Sequence, residues 1–180
     1  MLDKNNTLLI VIDFQERMLP HIRNREIILK NSKKLIKAFK IFNLPIIYTK
    51  QKKLGKIVDD IEVGDNEIED NIIEKITFSC FKEEKFVDCL RKTKRNKCLI
   101  IGIEAHICVL QTALDLIENG YTTYVAVDCI GSRNEKDKKV SIEYMIQEGV
   151  IPTTAETAIY EILETAETPE FKKILEIVKK

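Results

Sequence analysis

Glycine and proline are scarce in this chain, six and four residues, which excludes collagen-like and low-complexity structure; 44% hydrophobic and 32% charged residues are a globular composition. An excess of either charge is also missing, since Lys plus Arg and Asp plus Glu both total 29. Without a net field there is no global attraction for nucleic acid or an anionic membrane, so any partner is recognised locally. No stretch approaches the roughly 20 apolar residues of a membrane span, and Met1-Leu2-Asp3-Lys4-Asn5-Asn6 lacks the basic-then-apolar pattern of a signal peptide. These absences predict a soluble, cytoplasmic protein with neither a membrane nor a nucleic-acid partner. The cysteines, Cys80, Cys89, Cys98, Cys108 and Cys129, are an odd five without CxxC spacing, which argues against a disulfide framework or a zinc ribbon. They read as thiols in a reducing compartment.

What is present is an alternation of short apolar runs and amphipathic stretches. With 180 residues, the length suits one domain spanning 1–180. The runs Leu8 to Ile12, Pro45 to Thr49, Ile72 to Ile76, Lys97 to Ile103, Thr122 to Ile130 and Val150 to Thr153 read as six strands. Helical spacing lies between them: Ile28, Leu35, Phe39 and Phe42; then Phe86, Val87 and Leu90; then Val109, Ala113, Leu116 and Ile117; then Val140 to Glu148. Two helices close the chain, the last opened by Thr168 as N-cap with Pro169 in its first turn. Residues 51–74, crowded with charge around Gly55 and Gly64, read as a surface excursion or lid. Strict βα alternation predicts a three-layer, Rossmann-like α/β domain: a six-stranded parallel sheet of order 3-2-1-4-5-6 with helices on both faces.

In such a sheet ligands bind beyond the carboxyl ends of the strands, where strand order reverses between strands one and four. The loops there are Asp13-Phe14-Gln15 and Glu104-Ala105-His106-Ile107-Cys108. Neither is a glycine-rich phosphate or dinucleotide loop, so no nucleotide cofactor is expected. Cys108 opens a helix, where unpaired N–H groups favour a thiolate; it is an activated nucleophile or a small buried side chain. Asp13 ends an apolar run, and a buried carboxylate needs a partner or a raised pKa; it is a proton carrier or a cap for the segment starting at Gln15. Lys75 interrupts an apolar stretch, as a charge partner or as an exposed strand lysine. His106, two residues before the thiol, does not face it on a helix and reads as a pocket-wall or structural histidine.

The stretches Leu9-Ile10-Val11-Ile12-Asp13-Phe14-Gln15, Glu74-Lys75-Ile76-Thr77-Phe78-Ser79 and Gly102-Ile103-Glu104-Ala105-His106-Ile107-Cys108-Val109-Leu110-Gln111-Thr112-Ala113 resemble, in order, the three signature blocks of the isochorismatase-like cysteine hydrolases. With Ser132-Arg133-Asn134 and Thr153-Thr154-Ala155-Glu156 the likeness spans nearly the whole domain. It implies amidase-type chemistry on non-peptide C–N bonds, with Cys108 as nucleophile, Asp13 as proton carrier and Lys75 holding Asp13. It also implies a cis peptide at Ile103-Glu104, with the Glu104 and Cys108 N–H groups forming an oxyanion hole. Phe14, Phe78, Phe81, His106 and Ile107 are the pocket candidates. Nicotinamidases of this family hold a metal through Asp and His after strand two; here that place reads Lys50-Gln51-Lys52 and the chain has two histidines, so neither metal nor cofactor is expected. Members that cleave isochorismate, a vinyl ether, generally lack the cysteine, so Cys108 counts against that reaction, which stays as an alternative reading. A thiol redox or sensor protein is another. The family likeness further implies a small-molecule substrate and a homo-oligomer, dimer or larger. For that assembly the apolar faces of the last two helices, Ile159, Ile162 and Leu163 with Phe171, Ile174, Leu175 and Val178, are the candidate contact.

Overall fold

The first strand, β1 (Thr7–Ile12), is buried at every position, as an unbroken apolar run in the middle of a parallel sheet has to be. The computed structural model describes residues 1–61 and 72–179. On one side β1 pairs with β2 (Ile46–Gln51), which pairs with β3 (Ile72–Lys75). On the other side it pairs with β4 (Lys97–Ile103), followed by β5 (Thr122–Gly131) and β6 (Ile151–Thr153). Every pairing is parallel and the order is β3-β2-β1-β4-β5-β6.

Alternate residues of β1 serve opposite cores, since successive side chains of a strand point to opposite faces. Leu9 and Val11 join the side covered by α1 (Arg25–Ile41), α5 (Ala155–Leu163) and α6 (Phe171–Val178). Leu8, Ile10 and Ile12 join the side covered by α2 (Glu84–Lys92), α3 (Leu110–Glu118) and α4 (Glu135–Gln147). The expected three layers are therefore present. Among the described residues no helix is long and apolar enough to cross a membrane.

Four expectations need correction. Ile159, Ile162, Leu163 and Ile174 are buried within the chain itself, and Phe171 and Val178 pack against the same core. The last two helices thus cover their own sheet and leave no broad apolar face for a partner. Of the charged stretch 51–74, Gln51 closes β2, residues 72–74 belong to β3, and 62–71 with Gly64 lie outside the described residues. Residues 54–61 form a wall tied to the exit of β1: the backbone binds Glu16, Arg17 and Phe14, Ile57 bridges to Gln15, and Ile61 is 1% exposed. Its apolar anchors are Ile57, Val58 and Ile61. Helix α4 begins at Glu135, five residues before the first apolar position Val140, because the Asn134 side chain accepts from Lys136 N and caps it. The last helix begins at Phe171 with Glu170 at its cap, so Thr168 contributes its carbonyl to Phe171 N but no side-chain cap.

Candidate active site

At the carboxyl edge of the sheet β1 turns sharply out through Asp13, whose φ of 53° is left-handed and unusual for a residue with a side chain. The neighbouring strand makes room for this turn with a glycine. Gly102 pairs with Ile12, has φ of 142°, and a Cβ there would lie 2.3 Å from the Ile12 carbonyl oxygen. The exit of β1 and the end of β4 are therefore closer than any other residue allows.

Three buried groups meet at this point. Thr49 Oγ1 on β2 donates to Asp13 Oδ1 at 2.8 Å, and Lys75 Nζ at the end of β3 donates to Oδ2 at 2.6 Å. The Lys75 ammonium also lies 3.5 Å from Cys108 Sγ. Lys75 is 1% exposed, so the reading of it as a surface strand lysine does not hold. Cys108 occupies a π-helical turn, Ala105–Val109, that leads into α3. The Glu104 carbonyl accepts from Ile107 N and Val109 N at 3.1 and 3.2 Å and passes over the Cys108 amide between them. The Ile103–Glu104 peptide is cis.

Electrostatics set the resting proton positions. Burial opposes charge on Lys75, but the Asp13 carboxylate, with the Cys80 and Cys108 thiols, outweighs it and the ammonium is held above its usual range. Burial pushes the Cys108 thiol up to about 12, helped by Asp13 and opposed by Lys75. Cys80, fully enclosed nearby, is pushed by burial to about 11. The helix-start effect expected to favour a Cys108 thiolate thus loses to desolvation. At rest the sulfur keeps its proton and shares it with Asp13.

Around the three groups the structure sorts the remaining candidates. His106 Nδ1 lies 2.9 Å from Ser132 Oγ, a structural contact on the rim, and Ile107 is half-buried beside it. Phe78 is 53% exposed at the surface, just past Lys75. Phe14 is packed into the core on the α1 side, and Phe81, packed against the core cluster that includes Cys108, meets Tyr121 edge-on. Glu104, 4% exposed, accepts from both Arg133 N and Arg133 Nε at 3.0 Å. Thr49, Gln15 and Gln51 are participants that the sequence reading passed over; the first and last sit at the end of β2, the same edge that singled out Asp13 and Cys108.

The end of β2 does not fit a metal. Lys50 pairs with Glu74 at 3.1 Å and the Gln51 side-chain oxygen accepts from Lys75 Nζ at 2.6 Å. Among the described residues no three His, Cys, Asp or Glu side chains form a metal-holding group.

Known proteins resemble the chain throughout. Isochorismatase family protein 2A of Dictyostelium discoideum is 34% identical over 99% of this chain and 93% of its own. A structure described as MAR1 ribonuclease from Caenorhabditis elegans is 33% identical, superposes with a TM-score of 0.90, and is matched over 92% of its length by 99% of this chain. The YcaC product of Escherichia coli, described as an octameric hydrolase of unknown specificity, shares the fold with a TM-score of 0.85 at 23% identity, over 99% of this chain and 96% of its own. Residues 7–157 match the isochorismatase domain, and the chain belongs to the isochorismatase family of hydrolases.

Proposed function

We propose that the protein is a cysteine-dependent hydrolase of a small amide or related carbonyl compound, working through a thioester on Cys108. The observation that carries this reading is the single ammonium of Lys75 touching both the Asp13 carboxylate, at 2.6 Å, and the Cys108 sulfur, at 3.5 Å, away from water. When a carbonyl carbon reaches the sulfur, Asp13 takes the thiol proton as the C–S bond forms and the carbonyl electrons move to oxygen. The Glu104 and Cys108 N–H groups receive that oxygen; a donor of this kind is worth about 3 kcal/mol in the transition state. Collapse breaks the C–N bond, and Asp13 returns the proton to the leaving nitrogen. Water then attacks the thioester, Asp13 accepts its proton, the acid leaves, and the sulfur recovers its hydrogen from Asp13. Lys75 stays charged throughout and balances whichever of Asp13 and Cys108 is anionic.

The redox-sensor reading is disfavoured by the raised thiols of Cys108, about 12, and Cys80, about 11, because oxidation by peroxide follows thiolate character. A vinyl ether needs no nucleophilic sulfur. An RNA substrate, which the description of the C. elegans protein brings to mind, meets a chain with equal numbers of acidic and basic residues. We also propose that the chain self-associates as a dimer or larger.

The test is a panel of small amides, with isochorismate and an RNA oligomer included, followed by intact mass. The expected result is hydrolysis of an amide, an acyl adduct on Cys108, and a loss of at least about a thousandfold in Cys108→Ala. Turnover of any panel member by Cys108→Ala at near parental rate overturns the proposal.

A further inference from the structure

Lys75 Nζ carries three hydrogens and faces four acceptors. Asp13 Oδ2 and Gln51 Oε1 take two of them at 2.6 Å each, and the Thr77 carbonyl at 3.3 Å and Cys108 Sγ at 3.5 Å compete for the third. Gln51 is itself fixed. Its Nε2 donates to the Ile76 carbonyl at 2.6 Å, which leaves the amide oxygen to face the ammonium. Its backbone is clamped by Gln15, whose Oε1 accepts from Gln51 N at 2.7 Å and whose Nε2 donates to Gln51 O at 3.0 Å and Gly55 O at 2.8 Å. Gln15 is fully buried, so this clamp is part of the interior.

We propose that Gln51 is a positioning residue: its neutral amide oxygen holds the Lys75 ammonium against Cys108 without adding a second negative charge, and Gln15 locks it in place. This deepens, and for its activity readout rests on, the reading of Cys108 as nucleophile. The alternatives at position 51 show why neutrality matters. A carboxylate there flanks the ammonium with two anions and leaves the site negative when sulfur ionises. An apolar side chain leaves a buried N–H without its acceptor, and the ammonium can swing toward Thr77.

Alkylation of Cys108 by iodoacetamide, followed by peptide mapping across pH, tests this without any substrate. The groups that act on the ammonium and sulfur are Asp13 just after β1 and the Cys80 thiol after β3. Glu83 lies before α2, bonded to Ile76 N and Thr77 N, and also senses Lys75. Gln51→Glu, which is isosteric, is expected to alkylate about tenfold more slowly near pH 8 and to move the profile up by about one unit. Gln51→Met is expected to slow alkylation less and to lower kcat on any hydrolysed amide with KM unchanged. Thermal melts confirm that each variant is folded. Profiles of both folded variants that superimpose on the parent overturn the proposal. A shifted profile in a protein that hydrolyses no amide sustains this inference while removing the hydrolase reading.

Discussion

Removing the carboxylate of Asp13 strands an ammonium in a dry site, and removing Lys75 strands a carboxylate. Breaking one side of a buried ion pair costs about 3–5 kcal/mol, more than either residue contributes when both are replaced. Asp13→Asn and Lys75→Met are each expected to lose about 3 kcal/mol in urea unfolding, with the double variant recovering a large part of it. Additive losses in that cycle would show that the two do not act as a pair. The Cys108 thiol supplies a second expectation, with a definite sign. Because burial raises it to about 12, the thiolate fraction at neutral pH is small and grows as pH rises. Alkylation should therefore climb without levelling below about pH 10, and a plateau near pH 7 would contradict the site as described. Sequence alone exposes Asp13, which ends an apolar run, and Cys108, which opens the helix after the fourth strand. It leaves Lys75 ambiguous, since four residues are too few to fix which face of a strand is covered. Gln51 and Thr49 are invisible because their partners lie 24 and 36 residues away along the chain, at distances set only by strand register.

At the level of elements, the site depends on how two strands part. The Gly102 position of β4 sits against the Ile12 carbonyl just before β1 turns away at Asp13. Gly102→Ala introduces both a backbone collision and a side chain at φ of 142°, and is expected to cost about 2 kcal/mol or more of stability. The surviving folded protein should lose most of its activity, because the strand end that moves is the one carrying Asp13. Parental kcat in a folded Gly102→Ala protein would show the close approach to be irrelevant to the site. The end of β2 yields a different expectation. With Lys50 on Glu74 and Gln51 on Lys75, exhaustive chelation should leave activity unchanged, and loss that is restored by added zinc or iron would revive a metal mechanism. The strands are legible in the sequence because the inner ones, such as β1 and β4, are apolar runs covered on both faces, and their order follows the common doubly wound pattern of βα alternation. The start of α4 is not, because its first turn is set by the Asn134 cap and faces solvent, ahead of any apolar repeat. The wall at 54–61 is missed for a similar reason: Ile57, Val58 and Ile61, its anchors, are interleaved with Lys56, Asp59 and Asp60 and make no periodic run.

Across the whole molecule, the C-terminal helices fold back on their own sheet, so self-association has to use another surface. Val140 and Tyr144 stand one turn apart on α4, 55% and 45% exposed, and Ile76 and Phe78 are exposed close to the site. Such side chains are where a partner copy gains most from contact. Light scattering at micromolar concentration is expected to give a multiple of the chain mass, and a value near 20.8 kDa would set the expectation aside. The sheet order has a further result. Asp13 follows β1, whereas Lys75 ends β3, which among the described strands lies at the margin of the sheet and pairs with β2 alone. Strands at a margin fray at lower free energy than those inside. On warming, the ammonium should detach while the rest of the sheet is still intact, so the enzyme should fall silent several degrees before its core melts, and should wake again on cooling.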